Sequence, residues 1–385
     1  MRSVVACIVL AGCGRIGFDA FGLDATPACK ASDLGPGHDV MVGTAPTSSA
    51  AGDLDRDGKL DLVVQHGTSV GVLRGHGDGT FDPIVDFPAA DGACSLASEA
   101  VAIADLDHDG ALDVVTTDCT GVNSATDGGA IVLLGNGDGT LRPWVRYSTG
   151  NAVNGIAIAD LGNGNADLVA TDYYGSTVIG ILLGNGDGTF RPHVDYSVDA
   201  FPSDVAVADL DGDSKLDLAV ANESGVGISV MLGNGDGTFR TTVGYASGTS
   251  PESVVAADVD GDGKLDLVVA NSAEATNKGI AILRGNGDGT FQTATTLADD
   301  YPWSVAVRVD APLDIVVANN ANPGMLEVLH GNGDGTFQPG VAHAVGSFPT
   351  SALIADLDGD GVQDVVVANN SGNTVTVLLG TCLAR

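Results

Sequence analysis

Nine residues, Asp258-Val259-Asp260-Gly261-Asp262-Gly263-Lys264-Leu265-Asp266, carry the densest chemistry in the chain. Carboxylates stand at positions 1, 3, 5 and 9 of this stretch, with glycine at position 6. On a tight loop the odd-numbered side chains converge on one point, where four carboxylates repel one another. A hard divalent cation at that point removes the repulsion and makes an oxygen cage of the EF-hand type. Glycine at position 6 permits the sharp turn that returns the late ligand. The carbonyl of Lys264, at position 7, is the expected main-chain ligand. Unlike an EF-hand, the loop closes with Asp at position 9 and runs straight into Leu267-Val268-Val269-Ala270-Asn271. β-Branched residues suit a strand, so the spacing predicts a strand–loop–strand calcium site.

The pattern recurs. Four further intact copies are Asp53, Asp55, Asp57, Lys59 and Asp61; Asp105, Asp107, Asp109, Ala111 and Asp113; Asp209, Asp211, Asp213, Lys215 and Asp217; and Asp356, Asp358, Asp360, Val362 and Asp364. Lys59, Ala111, Lys215 and Val362 enter through their position-7 carbonyls, and Ser214 replaces glycine at position 6 of the Asp209 copy. A shortened copy runs from Asp160 to Asp167 and a collapsed one from Val309 to Asp314. Both have lost ligands and are assigned no metal. The seven units repeat about every 50 residues, a period that means a propeller or solenoid.

A second signature follows each copy but the last: Gly75 to Phe81, Gly135 to Leu141, Gly184 to Phe190, Gly233 to Phe239, Gly285 to Phe291 and Gly331 to Phe337. The seventh unit reaches Leu378-Leu379-Gly380, and the sequence ends five residues later. The Gly-Asn-Gly-Asp-Gly runs read as hairpin turns, since calcium-binding nonapeptide repeats would recur every nine residues.

The paired signatures, DxDxDGxxD then LLGNGDGTF, resemble the FG-GAP/VCBS repeat family, bacterial relatives of the integrin α-subunit propeller. The resemblance spans roughly residues 37 to 382. It implies an all-β, seven-bladed β-propeller of four-stranded antiparallel blades, with about five structural calcium ions in the loops joining the first two strands of each blade. It implies no single activity, because the family includes adhesive, lectin-like and some catalytic propellers.

The 385 residues carry a formal net charge of -34, of which five calcium ions would offset ten. Such a surface argues against nucleic acid or an anionic membrane as partner. A hydrophobic content of 44% excludes an acidic disordered chain. Residues 1–12 read as a signal peptide, too short to span a bilayer. Leu10-Ala11-Gly12-Cys13 resembles a bacterial lipobox, in which Cys13 would be lipidated and become the mature N-terminus of an outer-membrane lipoprotein. Residues 13–36 read as a tether and 37–382 as the propeller.

In the fourth unit, Val205–Ala208, Leu218–Ala221, Gly227–Leu232 and Thr238–Tyr245 read as strands A to D. The calcium loops and Gly-rich turns then share one face, and the B–C and D–A loops share the other. The second unit carries long insertions at Pro88 to Glu99 and Asp118 to Gly129. The seventh unit lacks strand D, and His38 to Gly43 precedes the first strand A. The N-terminal segment is therefore expected to close the last blade. Cys29, Cys94, Cys119 and Cys382 allow three pairings. Their positions favour Cys29–Cys382 as a clasp on the closure and Cys94–Cys119 between the insertions.

The face opposite the calcium loops carries Tyr173, Tyr174, Phe201, Tyr301, Trp303 and Phe348, of which Tyr173, Tyr174, Tyr301 and Trp303 are candidate ligand contacts. Aromatics can stack on sugars or anchor a protein partner; the aromatics beside prolines also suit capping of the blade tops. Asn222, Asn271, Asn319 and Asn369 recur after strand B as turn-capping residues. His66 and His343 are expected on the aromatic face, but no nucleophile elbow, zinc-type His pair or phosphate loop occurs. The expected function is non-catalytic binding or adhesion by a monomer to a glycan or protein at the envelope surface. The alternative is a carbohydrate-active, lyase-like enzyme on the same face.

Overall fold

The computed structural model describes residues 32–89, 100–118, 128–150, 152–173, 176–225, 227–272, 278–297, 301–309 and 312–382. Seven four-stranded antiparallel sheets form the blades of a propeller ring. The fourth blade, Pro202–Ala208, Asp217–Asn222, Gly227–Met231 and Val243–Ala246, is typical. Period-2 patterning builds the ring. Leu218 and Val220 face back into a core shared with the third blade, and Ala219 and Ala221 face forward into one shared with the fifth. All four are fully buried, so each strand B is apolar on both faces. Side chains also tie the innermost strands together: Val101 N donates to Ser48 Oγ, Val254 N to Asp204 Oδ2, Val305 N to Ser253 Oγ and Ala352 N to Ser304 Oγ, each from one blade to the preceding one.

Strand bounds differ from the sequence reading most at the starts of strands A and D. Strand A begins three residues earlier, at Pro202, because a bulge between Pro202 and Asp204 lets it extend past Val205. Strand D begins at Val243 rather than Thr238. Phe239 forms only an isolated bridge with Gly233, which closes the turn before the outer strand starts.

That turn latches neighbouring blades together. Asp236 Oδ1 accepts Thr238 N at 3.0 Å, and Gly235 and Gly237 have φ of 76° and 79°. Gly237 N donates to Leu161 O of the preceding blade at 2.9 Å. A Cβ on Gly237 would stand 2.5 Å from Leu183 Cδ2 of that blade, so glycine is required by both its φ and its neighbour. The closing aromatic meets strand D of the preceding blade edge-to-face: Tyr147 with Phe190, Tyr196 with Phe239 and Tyr245 with Phe291, at 5.2–5.4 Å.

The N-terminal segment completes the last blade. His38–Met41 pairs antiparallel with Thr374–Leu378, as expected. Ser32–Leu34, within the stretch read as tether, also pairs with Gly380–Cys382. Leu34 stands opposite Gly380 as Phe81 stands opposite Gly75, and Gly35 N donates to Leu379 O as Asp82 N does to Arg74 O. Leu34 therefore takes the place of the missing signature phenylalanine, and it is buried in the core between the sixth and seventh blades. Cys382, opposite Ser32, is disulfide-bonded. Cys13, Cys29, Cys94 and Cys119 lie outside the described residues, as do most of the second unit's insertions.

Leu34→Ala should cost about 2–5 kcal/mol, the range for a buried leucine, although Leu34 lies outside every repeat motif. Urea unfolding checks this; a change below about 0.5 kcal/mol would show that the segment only decorates the ring.

Candidate metal centres and the opposite face

Each intact loop joins strand A to strand B and is folded by its own carboxylates. In the fifth blade, Asp258 Oδ1 accepts Gly261 N at 2.8 Å and Asp262 N at 3.1 Å, and Asp258 Oδ2 accepts Gly263 N at 2.9 Å. Backbone amides thus hold the side chains in place before any cation arrives. Five groups of carboxylate oxygens lie within 4.8 Å of one another: Asp53, Asp55 and Asp57; Asp105, Asp107 and Asp113; Asp209, Asp211 and Asp217; Asp258, Asp260 and Asp262; Asp356, Asp358 and Asp360. An all-oxygen set of this kind fits a hard cation of the calcium type. A bound cation would supply charge neutralisation; the chain's own part is to fix the oxygens.

The aspartate at position 9 has a second task. Asp266 Oδ2 accepts Val259 N at 3.2 Å and Oδ1 accepts Gly285 N at 2.8 Å, tying the loop to the exit of strand C. Asp61, Asp113, Asp217 and Asp364 make the same two bonds, to Leu54 and Gly75, Leu106 and Gly135, Leu210 and Gly233, and Leu357 and Gly380. Burial pushes the carboxyls of Asp113, Asp217, Asp266 and Asp364 up to about 6, against the lowering by these amides and with the repulsion of the loop's other aspartates added. Asp61 moves the same way for the same first cause.

The two degraded units separate the clasp from the metal. Asp167 keeps both bonds, to Leu161 N at 2.9 Å and Gly184 N at 2.8 Å, and accepts Asn163 Nδ2 at 2.7 Å. Asp314 keeps the bond from Gly331 N, and its other oxygen faces the fully buried guanidinium of Arg308 at 2.8 Å and His330 Nδ1 at 3.0 Å. Asn163 thus adds a donor to Asp167, and at Asp314 Arg308 takes the place that a loop amide takes in the other units. Asp310 lies outside the described residues.

On the opposite face, Tyr173 donates to Glu223 Oε2 in a short hydrogen bond and meets Phe201 edge-to-face at 5.7 Å. Burial, then the Glu223 carboxylate, holds the Tyr173 phenol above its ordinary range. Glu252 is pushed up to about 7, first by burial and further by Glu223, while Ser272 Oγ, donating at 2.7 Å, opposes the shift. Lys278 Nζ lies 5.0 Å from the centre of the Tyr301 ring. Tyr301 is 41% and Phe348 38% exposed, and Trp303 is half-buried. Tyr174 lies outside the described residues.

Phe201, Tyr301 and Phe348 have φ of 58°, 62° and 55°, immediately before the proline that opens strand A. Their carbonyls accept Glu223 N, Asn320 N and Asn370 N, so they do cap the blade tops. Asn222 and Asn271, the last residues of their strands, are buried and donate to the first residue of the next strand, Gly227 and Gly279. His66 ends strand B of the first blade, at the position Asn222 and Asn271 hold in theirs, as expected. His66 is buried against Asp86 at 2.9 Å, whereas His343 sits on the outer strand of the sixth blade, 3.8 Å from Asp33, so no shared site forms.

A family model described as the FG-GAP-like repeat matches residues 53–116, 161–220, 209–269, 258–309 and 310–377. No curated protein matches the chain. Among solved structures, the chain is similar to an Agrocybe aegerita lectin described for specific recognition of non-reducing terminal N-acetylglucosamine, at 22% identity and TM-score 0.53 over 86% of this chain and 87% of that one. It is also similar to BBS1N solved in complex with ARL6DN and soaked with lead, at 14% identity and TM-score 0.60 over 91% and 98% of the two chains. These two likenesses show the fold alone.

Asp167→Ala should lower stability equally in calcium and in chelator, by about 1–3 kcal/mol for each buried amide left unpaired. Asp260→Ala should lower it in calcium and change it little in chelator. Urea unfolding in the two buffers reads both; an Asp167 effect confined to calcium would contradict the separation of clasp from metal.

Proposed function

The chain belongs to the FG-GAP-like repeat family, and from that premise we propose that it is a calcium-fastened, non-catalytic binding module whose face opposite the calcium loops takes a glycan or protein ligand at the cell envelope. The observation that carries this reading is the pair of exposed rings, Tyr301 and Phe348, held at equivalent positions on adjacent blades. The positive φ at this position is common to Ala45 and Ser250 and belongs to the turn, whereas the large exposed rings belong to these two blades. Rings raised on a rigid scaffold suit stacking against a sugar or anchoring a partner. Calcium in the five loops is structural: it neutralises the carboxylates and fixes the A–B connections.

A second reading, a lyase-like carbohydrate-active site, draws on one observation. A phenol bonded to Glu223 beside Glu252, whose carboxyl is pushed up to about 7, offers acid–base groups near neutrality.

A glycan array that includes N-acetylglucosamine-terminated sugars tests both readings. Binding should weaken at least tenfold in Tyr301→Ala and Trp303→Ala, with folding intact. Ligands shortened during incubation would favour the enzyme. Absence of binding to every glycan, together with a soluble protein partner lost in the same variants, would leave the protein-ligand form of the reading.

In this reading Cys13 is a lipidated N-terminus that holds the protein at the envelope, as a monomer with no nucleic-acid partner. Non-reducing peptide mapping of membrane-extracted protein should find a lipid on Cys13 and linkages Cys29–Cys382 and Cys94–Cys119. A Cys29–Cys94 linkage would overturn the clasp, and a mature N-terminus elsewhere would overturn the anchor.

A further inference from the structure

The five carboxylate loops are not electrically equivalent. Four of them already hold cations from the chain. In the first, Arg74 Nε lies 3.7 Å from Asp55 and Lys59 Nζ 3.4 Å from Asp57. In the second, Arg142 lies 3.8 Å from Asp107 and 3.2 Å from Asp109, and Arg56 reaches Asp109 at 3.6 Å from the first loop. In the fourth blade, Arg240 lies 3.7 Å from both Asp211 and Asp213, and Lys215 2.8 Å from Asp213. In the fifth, Arg284 lies 2.7 Å from Asp260 and Lys264 2.8 Å from Asp262.

The seventh-blade loop has none of this. Val362 stands where Lys59, Lys215 and Lys264 stand in other loops, and Leu379 stands where Arg74 and Arg284 stand. Among the described residues no cation pairs with Asp356, Asp358 or Asp360. One oxygen is also left over. In the other four loops the Oδ1 of the first aspartate accepts the amide of the fifth residue. Asp356 Oδ1 is buried and accepts no hydrogen bond. A buried, unpaired carboxylate oxygen is costly unless a partner arrives, and here it belongs to a three-carboxylate cluster.

This loop also lies in the blade that closes the ring. Asp364 Oδ1 accepts Gly380 N at 2.7 Å, and Gly380 is the residue paired with Leu34 of the N-terminal segment. We propose that the Asp356 loop is the calcium site that fills first, and that its occupancy holds the N-terminal strand in the closing blade. The proposal rests on the calcium reading above. In the other loops an incoming ion displaces arginine and lysine from the carboxylates; in this loop it meets no competitor. Without the ion, repulsion in the loop bears on the connection through Asp364 to the clasp.

Calorimetric calcium titration of the full chain, paired with hydrogen exchange at residues 38–41, tests it. Asp358→Asn should abolish the tightest binding step and, at limiting calcium, raise exchange at residues 38–41 to the level seen in chelator. Asp260→Asn should leave both unchanged. Leu379→Arg, which copies Arg74 and Arg284, should weaken the first step about fivefold, the upper worth of an exposed ion pair. Arg284→Leu, which copies Leu379, should strengthen the fifth-blade site by a similar factor. A tightest step that survives both Asp358→Asn and Leu379→Arg overturns the ranking. Exchange at residues 38–41 that ignores calcium overturns the link to closure. If the wild-type chain binds no calcium, the calcium reading itself falls rather than the ranking alone.

Discussion

No blade of this protein can bury itself. Strands A and B carry apolar side chains on both faces, so each sheet is satisfied only between two others. A row of such sheets would leave two apolar faces in water, each costing about 25 cal/mol per Å² of exposed apolar area. Closing the row into a ring removes both ends, and the remaining features of the structure serve that closure. The large-to-small alternation, with Leu218 and Val220 against one neighbour and Ala219 and Ala221 against the other, sets the spacing between blades. The Gly-rich turn then reaches over the boundary to bond the preceding blade. Its phenylalanine and the next strand's aromatic stand six residues apart, as in Phe239 and Tyr245. Leu34 and Val40 keep this spacing, so the N-terminal segment closes the ring by the same device as the repeats.

The carboxylate loops lie at the outer end of this arrangement and are folded on it. In the intact loops the position-9 aspartates bind two amides each; Asp167 keeps both bonds, and Asp314 keeps one and gives its other oxygen to Arg308 and His330. Metal positions and clasp positions have therefore diverged under different constraints. A unit can lose its ion if an amide such as Asn163 or a guanidinium such as Arg308 answers the remaining carboxylate. It keeps the acceptor for the amide at the exit of strand C, because that buried amide would otherwise be left without a partner.

Most of the architecture was legible in the sequence because it is repeated. Two motifs in fixed order gave the blade count, the strand order and the five carboxylate clusters. The closing role of His38–Met41 followed from the missing fourth strand of the seventh unit. Leu34 was not legible, since it lacks the Gly-Asp-Gly-Thr context of its counterparts and its partner Gly380 is far away in sequence. The clasp role of Asp266 was hidden because a carboxylate in a carboxylate-rich loop reads as a ligand; the retention of Asp167 and Asp314 in ligand-poor units was the available signal. His66 and His343 do not meet because His66 ends strand B of the first blade and His343 lies on strand D of the sixth, with the seventh blade between them.

The division between the two faces follows from the same physics. On the calcium face the loops at Leu54, Leu106, Leu161 and Leu210 are each held by their own carboxylates and by an amide of the next blade's turn, so their geometry has little room to change. On the other face the requirement is narrower: a residue such as Asn222 or Asn271 to fill the end of strand B, and a carbonyl before the proline to receive the next amide. Those two conditions fix the backbone but not the side chain at the pre-proline position. Phenylalanine, tyrosine, serine and alanine all occur there, at Phe201, Tyr301, Ser250 and Ala45, each with positive φ. The positive φ is imposed by the fold, and small residues meet it with less bulk to accommodate than aromatic ones do. Where the chain nevertheless places large rings, at Tyr301 and Phe348, their exposure means that packing does not account for them. Variable side chains on a rigid, repeated frame are the usual setting for recognition.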